Sequence, residues 1–385
     1  MVSPDAVTYL DHGATTPVRD EVVRAMLPLF GERFANPSGS HRASRDARRA
    51  VDEARDDVAA SVGCAPGEVV FTGGGTESDN TAVLGAVSRL GGAAVCPAVE
   101  HHAVLEAVQR AGGTVVAVGA DGAVDLAALA AALHRLDRVA IVSVMAVNNE
   151  VGTITDLAAV ARVVRAAAPQ ALLHTDAVQA ACWLDLRDVW RHVDVMSLSA
   201  HKFGGPKGIG ALVVRSGSSV DPLLVGGGQE RERRSGTHNV PGIVGMAEAL
   251  RLTDIDRPTE VPRVAALRDR LVDGVTESLR GQVTVHETVA RDRKVAGSAH
   301  LCLEGIENEA LLFLLDEAGV CASAASACAS GAMEPSHVLA AMGVPHSRSM
   351  GAVRFTLGRT TTAEDVDRAV DAVAGAARRL GRVAR

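Results

Sequence analysis

Residues able to do chemistry are confined to a few short stretches of this chain. In GGGTESDN, residues 73–80, three glycines precede a run of helical character. Glycine lets the backbone turn sharply and present its N–H groups, and a helix start reached that way suits an anion such as phosphate. Thr76 or Ser78 is placed to cap that helix. A plain strand-to-helix turn explains the loop equally well by itself, and no Lys-Ser/Thr pair follows the glycines, which excludes a Walker motif. Further on, Asp176 in HTDAVQ precedes Gln179, and Lys202 in SAHKFGGPKGIG stands between His201 and another glycine turn. A carboxylate buried at such a place needs a cation or a strong donor. A lysine in a partly desolvated pocket loses proton affinity and becomes a nucleophile for carbonyls; on the surface it is only a solvated charge. Last comes CASAASACASGAMEPSH, residues 321–337, nearly all small side chains around Cys328. That thiol is either a small buried hydrophobe or one held on a loop to react.

The elements that must position these groups are legible as hydrophobic runs. From about residue 45 to 215, the strand candidates EVVFT, AAVCP, TVVAV, VAIVSVMAV, ALLHTD, VDVMSLS and GALVVR alternate with Ala/Arg/Glu-rich helical stretches. Such alternation predicts an α/β fold, a mainly parallel sheet covered by helices. Ligands of these sheets bind beyond the carboxyl ends of the strands, where residues 73–80, Asp176 and Lys202 all fall. A phosphate cradle, a buried acid and a lysine on successive strand ends form the set that pyridoxal 5'-phosphate requires: donors for the phosphate, a carboxylate for the pyridinium nitrogen and a Schiff-base lysine. After the glycine-rich, charged stretch GGGQERERRSGTHNVPG, the texture changes near residue 255 to mixed helices and strands. The expected domains are 16–254, large and cofactor-binding, and 255–385 with 1–15, a smaller α+β unit carrying the Cys328 loop.

Composition narrows the function classes. The 385 residues are 47% hydrophobic and 22% charged, enough to bury a sizeable core. A net charge of −7 offers no global field for nucleic acid or anionic membrane. Clusters such as RASRDARRAVDEARDD interleave both signs, as a solvated helix face does. The opening MVSPDAVTYLD has neither the charged nor the apolar region of a signal peptide, and no apolar run approaches the roughly 18 residues of a membrane span. Six cysteines without a CxxC pair suggest neither a disulfide framework nor a metal site. A cytoplasmic protein with reduced thiols is expected.

The ordered motifs YLDHGATTPV, NPSGSH, FTGGGTESDN, VEHHAV, VNNEVGT, TDAVQ, SLSAHKFGGPKGIGAL, GGGQERERRSGT, SACASG and VRFTLGRTTTAEDVD cover nearly the whole chain. Together they resemble a cysteine desulfurase of the NifS/IscS-like family, in the class V aminotransferase group. The resemblance implies pyridoxal-phosphate fold type I. It implies that Lys202 would bond the cofactor and shuttle the α-proton, that Asp176 would face the pyridinium nitrogen and Gln179 the ring hydroxyl. His101 would stack on the ring and take part in proton transfer. Gly75, Thr76, Ser199 and His201 would hold the phosphate, joined by Thr237 from a second subunit, which implies a homodimer. Asn149 and Arg354 would grip the carboxylate of L-cysteine, and Cys328 would take its sulfur as a persulfide, leaving L-alanine. A sulfur-acceptor protein would follow, serving iron–sulfur cluster assembly or tRNA or DNA sulfur modification. The long spacing from Cys328 to Arg354 resembles the subgroup with an extended cysteine loop.

Three positions depart from the family pattern. Ala325 stands where a glycine is usual, which predicts a stiffer loop. Gly13 replaces the usual alanine and Ser44 the usual glycine, and neither is expected to touch the chemistry. The other cysteines, Cys64, Cys96, Cys182, Cys302 and Cys321, read as core fillers, with Cys321 at the start of a buried strand. His102 reads as a packing or surface residue. Two alternatives remain in view: a selenocysteine lyase or other pyridoxal-phosphate lyase of the same fold, disfavoured by Cys328 in its matching loop, and a catalytically silent sulfur-transfer scaffold, disfavoured by intact Lys202, Asp176, His101, Arg354 and Cys328.

Overall fold

The structure, a computed structural model, describes residues 7–324 and 336–383. Its strands are β1 (Thr8–Tyr9), β2 (Val69–Thr72), β3 (Ala93–Pro97), β4 (Thr114–Val116), β5 (Val139–Ser143), β6 (Leu172–Asp176), β7 (Val195–Ser199), β8 (Gly210–Val214), β9 (Val285–Glu287), β10 (Ser298–Leu303), β11 (Val320–Cys321) and β12 (Ala352–Thr356). The seven runs read as strands from the sequence become β2 to β8 and make one sheet, ordered β2-β8-β7-β6-β5-β3-β4. All pairs in it are parallel except those of β8, which runs antiparallel to β2 and β7. Strands β5 to β8 are buried along their whole length, because helices cover both faces.

Alternate side chains go to opposite faces of a strand, and two separate cores result. Ile141, Leu172 and Leu212 pack with the helices Gly75–Leu90 and His102–Arg110. Their neighbours Val142, Leu173 and Val213 face the other way, onto Val51 and Val58 of the helix Arg42–Val62 and Val160 of Leu157–Ala167. The charged RASRDARR stretch is the outer surface of that Arg42–Val62 helix, as its spacing predicts, and Gly63 ends it at φ 77°.

A further core gathers around the antiparallel sheet β12-β10-β9, with Leu301, Phe355, Leu271, Leu315 and Val373 at its centre. The chain start belongs with it: β1 pairs parallel with β11, and Leu10 is buried in this core. A single helix, Val240–Ser278, runs through residue 255, where the texture of the sequence changes. Its first half gives Ile243 and Leu250 to the large core, its second half Val264 and Leu271 to the small one. Pro258 and Pro262 do not end it, although each removes a backbone donor. Side chains on the helix pin its middle: Thr253 Oγ1 donates to Phe203 O at 3.0 Å and Arg257 Nε to Ala181 O at 3.1 Å. No helix among the described residues is long and apolar enough to cross a membrane.

Candidate active site

The carboxyl ends of the parallel strands open into a cavity of about 300 Å³. Gly75, Thr76, His101, Asn149, Asp176, Gln179, Ser199, His201, Lys202 and Arg354 all line it. These residues come from loops after β2, β3 and β5, from β6, β7 and their following turns, and from β12 of the small sheet. Thr237 is exposed and does not line this cavity. Cys328 and Ala325 lie outside the described residues.

Lys202 stands in the short 3-10 turn Ala200–Lys202 that ends β7. Its Nζ donates to the carbonyls of Gly13 at 2.6 Å and Ala14 at 3.0 Å. Gly13 O also accepts from Gln179 Nε2 at 2.7 Å. The expectation that position 13 stays clear of the chemistry is therefore corrected: its carbonyl holds the lysine. Burial, helped by the charge of Arg354, pulls the Lys202 ammonium down to about 8, with Asp176 and Asp11 opposing. Asp176 is buried and accepts from Val178 N at 2.8 Å. Burial pushes this acid up, and the charges of His101 and Lys202 hold it back.

The phosphate end is built by close backbone packing. Gly74 has φ 152°, a conformation open to glycine, and begins the helix Gly75–Leu90. A Cβ on Gly75 would meet Val178 Cγ2 at 2.7 Å. Neither Thr76 nor Ser78 caps the helix start, contrary to the sequence expectation. Ser78 Oγ instead turns back to Gly74 O at 3.1 Å and Thr72 Oγ1 at 2.7 Å. The uncapped start faces Ser199, buried at the end of β7, and His201. Burial and the neighbouring Lys202 charge bring His201 down to about 4, so it is neutral and its ring has one N–H to give.

At the opposite end, Arg354 is buried and donates through Nη1 to Asn149 O and through Nη2 to Asp11 Oδ1, both at 2.8 Å. Its Nε and the side-chain oxygen of Asn149 have no hydrogen-bond partner among the described residues. Such buried, unsatisfied groups facing one cavity suit a polar ligand that completes them. His101 caps the helix His102–Arg110, its Nδ1 accepting from Ala103 N at 3.1 Å. Desolvation draws its ring down, with Asp176 pulling up and Lys202 down. His102 is half-exposed and packs on the His337 ring, 4.5 Å between centroids. Asp11, Asp79 and Glu150 are acids of this neighbourhood that carry no role in the sequence reading. Asp79 is buried in the cavity wall, its proton affinity raised by burial and by the charge of Asp176.

All five described cysteines are free thiols with raised proton affinity. Burial takes Cys64 to about 12 and Cys182 to about 11, so neither supplies a thiolate near neutral pH. Cys321, in β11, is raised by burial and by Asp316 and Asp11. The core-filler reading fits Cys64, Cys96, Cys182 and Cys302, which lie in or against hydrophobic cores, whereas Cys321 is half-buried and outside them.

A doubly covered parallel sheet with a lysine, an acid and an uncapped helix start at its strand ends defines a pyridoxal-phosphate enzyme of fold type I. The family "Aminotransferase class-V" matches residues 8–369. A cysteine desulfurase of Gluconacetobacter diazotrophicus is 44% identical over 376 residues, covering 95% of this chain and 92% of its own. The solved structure titled "NIFS-LIKE PROTEIN" superposes with a TM-score of 0.88 at 33% identity, covering 96% of this chain and 99% of its own. Another, "SspA in complex with cysteine", gives 0.76 at 30% identity, covering 91% and 98%. The chain belongs to the cysteine desulfurases of the class V aminotransferase family, which are pyridoxal-phosphate-dependent enzymes.

Proposed function

We propose that this chain forms L-alanine from L-cysteine with pyridoxal 5'-phosphate held in the 300 Å³ cavity, and that Cys328 accepts the sulfur. The observation that carries this reading is the convergence of the ten cavity residues named above on one cavity around a lysine lowered to about 8. Gly75, Thr76, Ser199 and His201 would hold the phosphate, Asp176 the ring nitrogen and Gln179 the ring hydroxyl. When bound, the cofactor supplies an electron sink for the substrate carbons. Lys202, its ammonium lowered to about 8 so that a fraction is neutral near pH 7, would hold the cofactor and carry the α-proton. Arg354 and Asn149 would orient the substrate through its carboxylate. His101, held by its Nδ1 cap, keeps its other ring nitrogen for a proton at the substrate thiol.

The step balances as L-cysteine plus the Cys328 thiol giving L-alanine plus a Cys328 persulfide: the carbon–sulfur bond breaks and a sulfur–sulfur bond forms. The raised thiols of the five other cysteines support Cys328 as the acceptor. The persulfide then passes to an acceptor protein. We further infer a homodimer in which exposed Thr237 of each subunit reaches the phosphate of the other. A cytoplasmic setting fits the free thiols. The test is release of alanine and sulfide from L-cysteine and a reductant. Wild type is expected to release them in equal amounts; Cys328→Ser keeps the bound cofactor and loses sulfide release. Sulfide release surviving that substitution overturns the reading.

A further inference from the structure

Glu150 is fully buried, yet nothing in the chemistry above uses it. It ends the turn that follows β5, where Asn148 Oδ1 accepts from the N–H groups of Glu150 and Val151, each at 2.9 Å. Asn148 is tied in turn to Val99 O at 3.0 Å. The same turn gives Asn149 O to Arg354. The Glu150 side chain points the other way along this shelf, and the Ser336 hydroxyl donates to its Oε1. Ser336 is the first described residue after the segment 325–335 that carries Cys328. It also caps the helix His337–Ala341 by accepting from Leu339 N at 3.1 Å. That acceptor role leaves the hydroxyl proton free for Glu150.

His300, on β10 directly opposite Arg354 on β12, brings Nε2 to 4.0 Å from Glu150 Oε1. That nitrogen has no hydrogen-bond partner among the described residues, while Nδ1 is fixed by Thr288 Oγ1 at 2.7 Å. One buried acid thus lies between the strand that presents the substrate-binding arginine and the residue where the described chain resumes after Cys328.

We propose that Glu150 is a positioning residue for the sulfur-transfer step: through Ser336 it fastens the downstream root of the Cys328 segment to the shelf that holds Arg354. The proposal rests on Cys328 being the sulfur acceptor. Burial takes Glu150 to about 7, against the Ser336 bond and the Arg354 charge, so near neutral pH it accepts from Ser336 in either protonation state. The tether therefore depends on an acceptor oxygen at position 150 and not on a full charge. Misplacing a reacting group by about 1 Å costs on the order of a hundredfold in rate, and loss of the tether acts there, not on cofactor or carboxylate binding.

The test uses the cofactor-loaded protein and reads three quantities: cofactor absorbance, KM for L-cysteine, and the single-turnover rate at which Cys328 gains a persulfide, by mass spectrometry. Ser336→Ala and Glu150→Ala are expected to keep the cofactor and a KM within about threefold, and to slow the transfer about 10- to 100-fold. The double variant is expected to be no slower than the worse single one, as for two ends of one contact. Glu150→Gln keeps an acceptor and is expected to stay within about threefold of wild type. Undiminished transfer in both alanine variants overturns the proposal alone, as does a Glu150→Gln variant as slow as Glu150→Ala, or cofactor loss in step with rate. Wild-type protein that makes alanine without labelling Cys328 overturns the Cys328 reading and this proposal with it.

Discussion

Glu230 offers a prediction whose size follows from the geometry. It begins three successive residues with positive φ, Glu230 at 51°, Arg231 at 59° and Glu232 at 66°. Non-glycine residues held there cost of order 1 kcal/mol each, so something must hold them. Glu230 is buried and accepts from Arg55 Nη1 and Nη2 at 2.8 and 2.7 Å, from Phe71 N at 2.9 Å and from His238 Nε2 at 2.8 Å. Burial alone would raise this acid; the bonds from His238 and Arg55, the Arg55 charge and the Phe71 N–H bring it down to about 2. A fall of that size from an ordinary glutamate corresponds to about 3 kcal/mol of native-state stability. The cost of breaking a buried ion pair, about 3–5 kcal/mol, agrees. Because the folded acid is the stronger one, the contribution is complete above about pH 4.5 and is lost as pH falls toward 2. Urea unfolding at pH 7 is expected to show Glu230→Ala destabilised by about 3 kcal/mol relative to wild type, with the gap narrowing below pH 4.5. A difference under about 1 kcal/mol at pH 7 would refute this weighing of pairing over desolvation.

Other outcomes follow from the site. Because the Lys202 amine turns neutral above about 8, the rate of covalent cofactor capture by cofactor-free protein is expected to rise through that pH; a midpoint near the ordinary lysine value of about 10 would contradict it. Gly75→Ala drives a Cβ to 2.7 Å from Val178 Cγ2, so cofactor affinity, measured by fluorescence titration, is expected to fall about 10- to 100-fold. Arg354→Lys loses the planar fork, and KM for L-cysteine in the alanine-release assay is expected to rise about 10- to 100-fold with cofactor binding intact. In Cys328→Ser, maleimide labelling at pH 7 is expected to be slow, since every remaining thiol is raised.

What the sequence disclosed depended on the range of each signal. Strands β2 to β8 begin in or contain short runs of Val, Leu, Ile and Ala, a local pattern that survives in one sequence, and their ends locate Asp176, Ser199 and Lys202. The roles of Asp11, Glu150 and Glu230 are not legible in the sequence because their partners are remote in the chain. Asp11 meets Arg354 across 343 positions, Glu150 meets Ser336 across 186, and Glu230 meets Arg55 across 175. The role of Gly13 is hidden for the same reason, since it lies in a carbonyl that any residue would carry. The continuity of the helix Val240–Ser278 is not legible locally because Pro258 and Pro262 are breakers by local rules, and remote partners including Phe203, Ala181, Arg19 and Arg187 pin its middle. Cap prediction failed at Thr76 and Ser78 because a serine near a helix start is equally able to bond back to a glycine carbonyl, as Ser78 does.

The central claim is that sulfur leaves L-cysteine for Cys328 beside a cofactor held by Lys202. A single turnover of the cofactor-loaded protein with sulfur-labelled L-cysteine and no reductant, followed by proteolysis and mass spectrometry, measures it directly. One labelled sulfur on the peptide containing Cys328, with one alanine released per site, is the expected result. Label on Cys182 or Cys321, or alanine formed with no protein-bound sulfur, would contradict it.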